Sequence, residues 1–392
     1  MLVLPEHITA RPLPVAHGRI ADTAGPGAWS LDLRHHLIFP GLINAHDHLQ
    51  LNNIRRLPEQ APFPNSYAWM AAFQPYFREP AVAAACAVPE AVRHWHGALK
   101  NLLCGATTVV HHDPWHPVLD SPTFPTRVLR RVGWCHSLGL GMEHAVLGSA
   151  PLAPYGPPVV ESFRATPATQ PWIIHLAEGT DAVAAAELAQ LDALGCLAAN
   201  TVLVHGVGLS AADMTRVLAR GAAVIWCPAS NITLLGRTLE PRCLFDSRRL
   251  ALGSDSRLSG SRDLLEELRV AAVHSDLGPA ELLRLVTTDA SRVLAIPEVG
   301  GLDPGQYADL VIVRDSGSDP YQVLLNLQRA DIRVVVRGGV PAIADPDFAD
   351  WFAACDVETV SVRLDGRPKL CARALAWCDA MALEPGLEYS PA

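Results

Sequence analysis

Four short apolar runs in this chain each lead into a residue able to hold a metal ion or move a proton. The run Leu37–Asn44 leads into His46-Asp47-His48. Trp172-Ile173-Ile174 ends in His175, with Glu178 three residues on. Thr201–Val204 ends in His205, and Arg249–Ser254 reaches Asp255. Each run has the length and residue types of a strand, and helical patterns fill the gaps between them. Polar residues at the C-terminal ends of separate parallel strands are how a (β/α)8 barrel assembles a site, so the spacing predicts an α/β barrel. In an extended strand residues i and i+2 share a face. His46 and His48 therefore leave their strand together, and Asp47 faces away. With 16 histidines in 392 residues one His-x-His pair means little. The ordered set carries the reading.

Composition narrows the class. A chain of 392 residues can bury a large core and has room for a barrel with a small accessory domain. The chain is 49% hydrophobic and 18% charged, an ordinary enzyme profile. A net charge of −9 argues against a nucleic-acid partner, which would need basic patches. No run approaches the roughly 20 apolar residues of a membrane span, and the opening Met1–His7 lacks the basic start and long apolar stretch of a signal peptide. The nine cysteines are scattered without a Cys-x-x-Cys pair, as expected of buried thiols in a reducing cytoplasm.

The motifs resemble the amidohydrolase superfamily, in particular its aminohydrolase branch of deaminases and triazine chlorohydrolases. The matching pieces are Pro40-Gly41-Leu42-Ile43-Asn44-Ala45-His46-Asp47-His48, Gly105–Val110, His175-Leu176-Ala177-Glu178 and His205-Gly206. They continue with Cys227–Asn231, Gly253-Ser254-Asp255-Ser256 and Gly301–Leu310, all in the family's order. The resemblance implies one divalent metal, zinc before iron, held by His46, His48, His175 and Asp255. It implies attack by metal-bound hydroxide, with Asp255 as base, Glu178 as the acid that protonates a ring nitrogen, and His205 stabilising the developing charge. Some relatives bridge a second metal with a lysine on the fourth barrel strand. The only lysines here are Lys100, in a helical stretch before the second strand, and Lys369, near the C-terminus, so a single metal is expected.

The resemblance also implies a small β-sandwich built from both chain ends. The predicted divisions are residues 1–38 and 299–345 for the sandwich, 39–298 for the barrel and 346–392 for a C-terminal helical extension. Only about 25 residues separate the region 132–146 from Trp172. That is too few for a full helix–strand–helix unit, so the fourth β/α unit is expected to be compressed or missing. His112 is an open candidate for the pocket wall. Tyr67, Trp69, Phe73 and Phe77 form a helical apolar stripe, either core or pocket lid. Arg257 is a candidate substrate contact, Arg55 and Arg56 weaker ones, and His94 and His96 read as structural. The predicted activity is deamination of an amino-substituted nitrogen heterocycle, a small molecule. Hydrolysis of a cyclic amide or carbon–halogen bond, or a non-catalytic binding barrel, are the alternatives. Family likeness also makes a homodimer an expectation.

Overall fold

The computed structural model describes residues 1–58, 62–141 and 154–389. Its centre is a set of parallel strands: β1 (Leu42–Asp47), β2 (Ala106–His111), β3 (Arg127–Val128), β4 (Gly133–Ser137), β5 (Trp172–Leu176), β6 (Thr201–His205), β7 (Ala223–Trp226) and β8 (Leu250–Leu252). Strands β1 to β3 pair in one ladder and β4 to β8 in another. The two sheets meet where the Asp255 amide donates to the His46 carbonyl at 3.0 Å. Gly253 permits that approach, since a Cβ there would lie 2.6 Å from the Cβ of His46.

Nearly every residue of β1, β2 and β5 to β8 is buried, as parallel strands covered on both faces require. Period-two alternation divides them. Ile43, Ile173, Val202, Val204, Ile225 and Ala251 form an inner cluster. Trp172, Ile174, Leu203, Val224 and Leu252 face outward, joining the helical Leu99, Leu188 and Val217 in the main core. The C-terminal ends of the strands are level. Leu176 stands opposite His205 and Trp226 opposite Leu252, so the side chains that follow open onto one end of the sheet.

Where the compressed or missing unit is expected, Gly133–Ser137 pairs directly with Trp172–Leu176, with no strand between them among the described residues. Strand β4 is present, and the helix Val159–Ala165 precedes β5. The expected gap overlaps residues 142–153, which lie outside the described set. A further short connection, Leu129–Val132, joins β3 to β4. A parallel crossover needs a dozen or more residues; four cannot supply one, and the ladder breaks there.

Both chain ends join one nine-stranded sheet. Its order is Leu387–Glu388, Thr359–Leu364, Arg367–Ala372, Val340–Ala344, Ile332–Arg337, Leu310–Arg314, His36–Pro40, Leu2–Leu4 and His7–Thr9. A separate hairpin, Val15–Ala16 with Arg19–Ile20, bridges to Tyr307 through Arg19. Two sequence expectations change here. The apolar run before His46 is two strands, not one. His36–Pro40 belongs to the end sheet, and the chain passes into β1 at Gly41, where a Cβ would sit 2.3 Å from Thr107 Oγ1. The 346–392 segment is not simply helical either. It has the helix Ala349–Ala354, two strands of the end sheet, the short helix Cys378–Met381 and a third strand. Along Thr359–Leu364 the buried residues Val360, Val362 and Leu364 alternate with Ser361 and Arg363, the strand period.

Candidate metal centre and active site

The ladder between β1 and β2 slips between Asn44 and Asp47, a bulge that turns His46 and His48 into the site. Asp47 goes the other way. Its carboxylate pairs with Lys100 at 2.9 Å and accepts from Asn52 at 2.9 Å and Asn101 at 2.7 Å, all buried against the helix Glu90–Leu103. That accounts for Lys100, which holds the back of β1.

His46, His48 and His175 converge. His175 Nε2 lies 3.2 Å from His46 Nε2 and 3.3 Å from His48 Nε2. Oδ1 of Asp255 stands 3.8 Å from the first of those partners and 3.7 Å from the second. A tetrahedral shell with bonds of about 2.1 Å spaces its donor atoms about 3.4 Å apart, so this set fits a single divalent ion. Once all three rings are deprotonated their lone pairs face one another and repel, and a cation at their centre reverses that sign. Two of the rings are held with Nε2 inward. His48 Nδ1 donates to Asp113 at 2.6 Å, and His175 Nδ1 donates to the His136 carbonyl at 2.6 Å. Burial lowers His46 and His175 well below the usual imidazole range. For His48 burial acts the same way, but the Asp113 carboxylate outweighs it and pulls the ring up to about 9.

Three residues at or just past strand ends adopt left-handed backbone: Ala177 (φ 54°), His205 (φ 75°) and Asp255 (φ 52°). Such conformations are uncommon in non-glycine residues and turn the chain sharply, here where β5, β6 and β8 give out. Asp255 Oδ2 accepts from Ser230 at 2.8 Å and Ser259 at 2.7 Å. Burial acts to raise Asp255, but His48, His205 and those hydroxyls hold it below the usual carboxylate range. Glu178 is the reverse: burial raises it, against the partial opposition of His205. Its Oε1 lies 3.5 Å from His205 Nε2, while His205 Nδ1 bonds Asn231 Oδ1 at 2.8 Å.

A cavity of about 400 Å³ opens beside the cluster, lined by His48, His175, Glu178, His205 and Asp255 among others. The metal-ligand and catalytic candidates named from sequence are therefore brought to one place. Arg257 is not among the lining residues. Its guanidinium is committed to Glu384 by two bonds of 2.8 Å. His112 is fully buried behind His175, stacked on it at 4.4 Å and bonded to the Cys135 carbonyl at 2.9 Å. Sequence reasoning missed Asp113, which also accepts from Gln50 and Tyr155 at 2.7 Å each. The available signal was a carboxylate directly after His111-His112 at the end of β2.

Parallel strands delivering three imidazoles and a carboxylate to one cavity define a metal-dependent hydrolase. The Amidohydrolase family profile matches residues 166–366, just over half of the chain, and the chain belongs to that family. It is a hydrolase of carbon–nitrogen bonds other than peptide bonds. It is 26% identical over 370 residues to the 5-methylthioadenosine/S-adenosylhomocysteine deaminase of Pyrococcus furiosus, covering 80% of this chain and 83% of that protein. It is 25% identical to the 8-oxoguanine deaminase of Pseudomonas aeruginosa, over 83% of this chain and 88% of that one. Among solved structures, a zinc-bound adenosine deaminase from Xanthomonas campestris superposes with a TM-score of 0.67 at 21% identity, covering 91% and 95% of the two chains. Zinc-complexed atrazine chlorohydrolase from Arthrobacter aurescens gives 0.64 at 19% identity, over 87% and 94%. These two likenesses establish the shared fold.

Proposed function

We propose that the protein deaminates an amino-substituted nitrogen heterocycle, replacing the amino group by oxygen and releasing ammonia. His46, His48, His175 and Asp255 would hold one zinc ion, the metal a nitrogen-rich set of four donors suits. When bound, it supplies Lewis acidity that brings the pKa of a water molecule from 15.7 down to about 7. Asp255 accepts the proton that water gives up as its oxygen bonds to the amino-bearing carbon. Glu178, kept protonated more readily by burial, gives its proton to the adjacent ring nitrogen. His205 donates toward the oxygen where charge gathers. Proton return through Glu178 and Asp255 lets the C–N bond break with ammonia leaving as a neutral molecule.

The observation that carries this reading is the pair of opposed carboxyl groups in one cavity, Asp255 lowered and Glu178 raised. Two groups whose surroundings push them apart are suited to base and acid work. The deaminases among the curated relatives support the choice of leaving group. Ammonia release from aminopurines, aminopyrimidines and aminotriazines, followed while metal-free protein is titrated with zinc, tests it. Activity should rise to a plateau at one zinc per chain. Ring-opened or dechlorinated products without ammonia would reject deamination in favour of the alternative hydrolyses.

A further inference from the structure

The cavity is divided in character. Its inner wall holds the metal-site and proton-transfer groups. Its outer wall is one face of the helix Ser66–Tyr76, where Trp69, Met70 and Phe73 are followed one turn on by Phe77. Residues four apart share a helix face. Trp69 and Phe73 stand 5.5 Å apart between ring centroids, Phe73 and Phe77 4.5 Å. Leu258 packs with Phe73 and Leu234 with Trp69, extending the apolar wall.

Charge is as one-sided as polarity. Among the described residues no lysine or arginine lines the cavity, and its only formal charges, histidines aside, are the carboxylates of Asp113, Glu178 and Asp255. Arg257 is paired with Glu384, Lys100 with Asp47, and Arg56 bonds the Gly260 carbonyl, while Arg55 is exposed and does not line the cavity. Residues 59–61, 142–153 and 390–392 contain neither lysine nor arginine. An anionic arm laid against this outer wall would lose its water and gain no partner, a penalty that neutral apolar groups escape. A volume of about 400 Å³ lies toward the small end of ligand sites and admits one ring system with a short arm.

We infer, resting on the deaminase reading, that the substrate is an uncharged amino-heterocycle with an apolar arm lying along Trp69, Phe73 and Phe77. Phosphorylated or carboxylated heterocycles are excluded. Calorimetric titration of the zinc-loaded protein with two matched pairs tests this. One pair is adenosine with a 5′-alkylthio arm against adenosine 5′-monophosphate. The other is an amino-s-triazine with a butyl arm against the same ring with a carboxypropyl arm. On whichever ring binds, the apolar member should bind at least about 100-fold more tightly. Trp69→Ala should erase about tenfold of that preference; an unchanged preference would count against the aromatic wall. Equal affinity, preference for the anionic member, or no binding by either pair overturns the inference. Ammonia measured in the same samples separates the two proposals. Apolar preference without ammonia leaves this inference standing and removes deamination; turnover that favours the anionic member does the opposite.

Discussion

Asp113 sits 2.6 Å from His48 Nδ1, on the side away from the cluster, and so governs which nitrogen of that ring is free. Asp113→Asn keeps the shape and loses the charge. It should weaken zinc affinity by about 10- to 100-fold, read by competition with a chromophoric chelator. Unchanged affinity would show that His48 is oriented by packing alone. Glu178→Gln should retain stoichiometric zinc and lower kcat by about 10²- to 10⁴-fold, because it removes a proton carrier and no ligand. Loss of zinc in that variant would place Glu178 in the wrong role. At this scale the sequence was informative where chemistry depends on residue type at a strand end, as with His46, His48, His175 and Asp255. It was silent where a contact joins distant segments. Nothing near Arg257 announces that its partner is Glu384, 127 residues away.

That contact belongs to the next scale, because it ties the segment after β8 to the C-terminal strands. Glu384 is fully buried and receives Arg257, Arg329 and His96, the last at 2.9 Å. Arg329 also pairs with Asp365 at 2.8 Å, and Asp365 with Arg262 at 2.7 Å. Burial acts to raise Glu384, but these partners hold it far down, ionised at any working pH. Glu384→Ala would strand two guanidinium groups and a histidine in the interior. Urea unfolding should show a loss of about 3–5 kcal/mol; a change under about 1 kcal/mol would mean that the network relaxes into solvent. The C-terminal strands were hidden in the sequence by alanine-rich neighbours such as Ala372-Arg373-Ala374-Leu375-Ala376, which read as helix. The alternation from Val360 to Leu364 was the better guide. The aromatic stripe of Trp69, Phe73 and Phe77 was visible as a helix face, but only the fold could say that it borders the cavity while Tyr67 turns to Glu187.

For the molecule as a whole, two buried acids outside the cluster set a pH response. Burial raises Glu187 to about 7 and Glu267 to about 8, against the hydrogen bonds each accepts from the chain. Glu187 Oε2 takes the Ala177 amide at 2.6 Å, and Glu267 Oε1 takes the Ala229 amide at 2.8 Å, bracing the turns after β5 and β7. Between the ordinary glutamate value near 4.5 and these raised values, the folded chain holds protons that the unfolded chain has released. The share of stability these two acids supply therefore falls as pH rises from about 5 to 8, while the buried neutral rings of His46 and His175 act in the opposite direction. The melting temperature of wild type relative to that of Glu267→Gln should fall as pH rises from about 5 to 8; a difference independent of pH would take Glu267 out of the response. The parallel strands and the order of the polar residues at their ends were legible because each run is local. The end sheet was not, since it pairs residues 2–9, 36–40 and 310–388 through contacts no single stretch reveals. Everything proposed for the site depends on one cation being held by residues from β1, β5 and the turn after β8. Crystals of zinc-loaded protein, with data collected at the zinc absorption edge, test this most directly. A single anomalous peak should lie about 2.0–2.2 Å from Nε2 of His46, His48 and His175 and from a carboxylate oxygen of Asp255. A peak elsewhere, two peaks, or Asp255 turned away from the three rings would contradict the account.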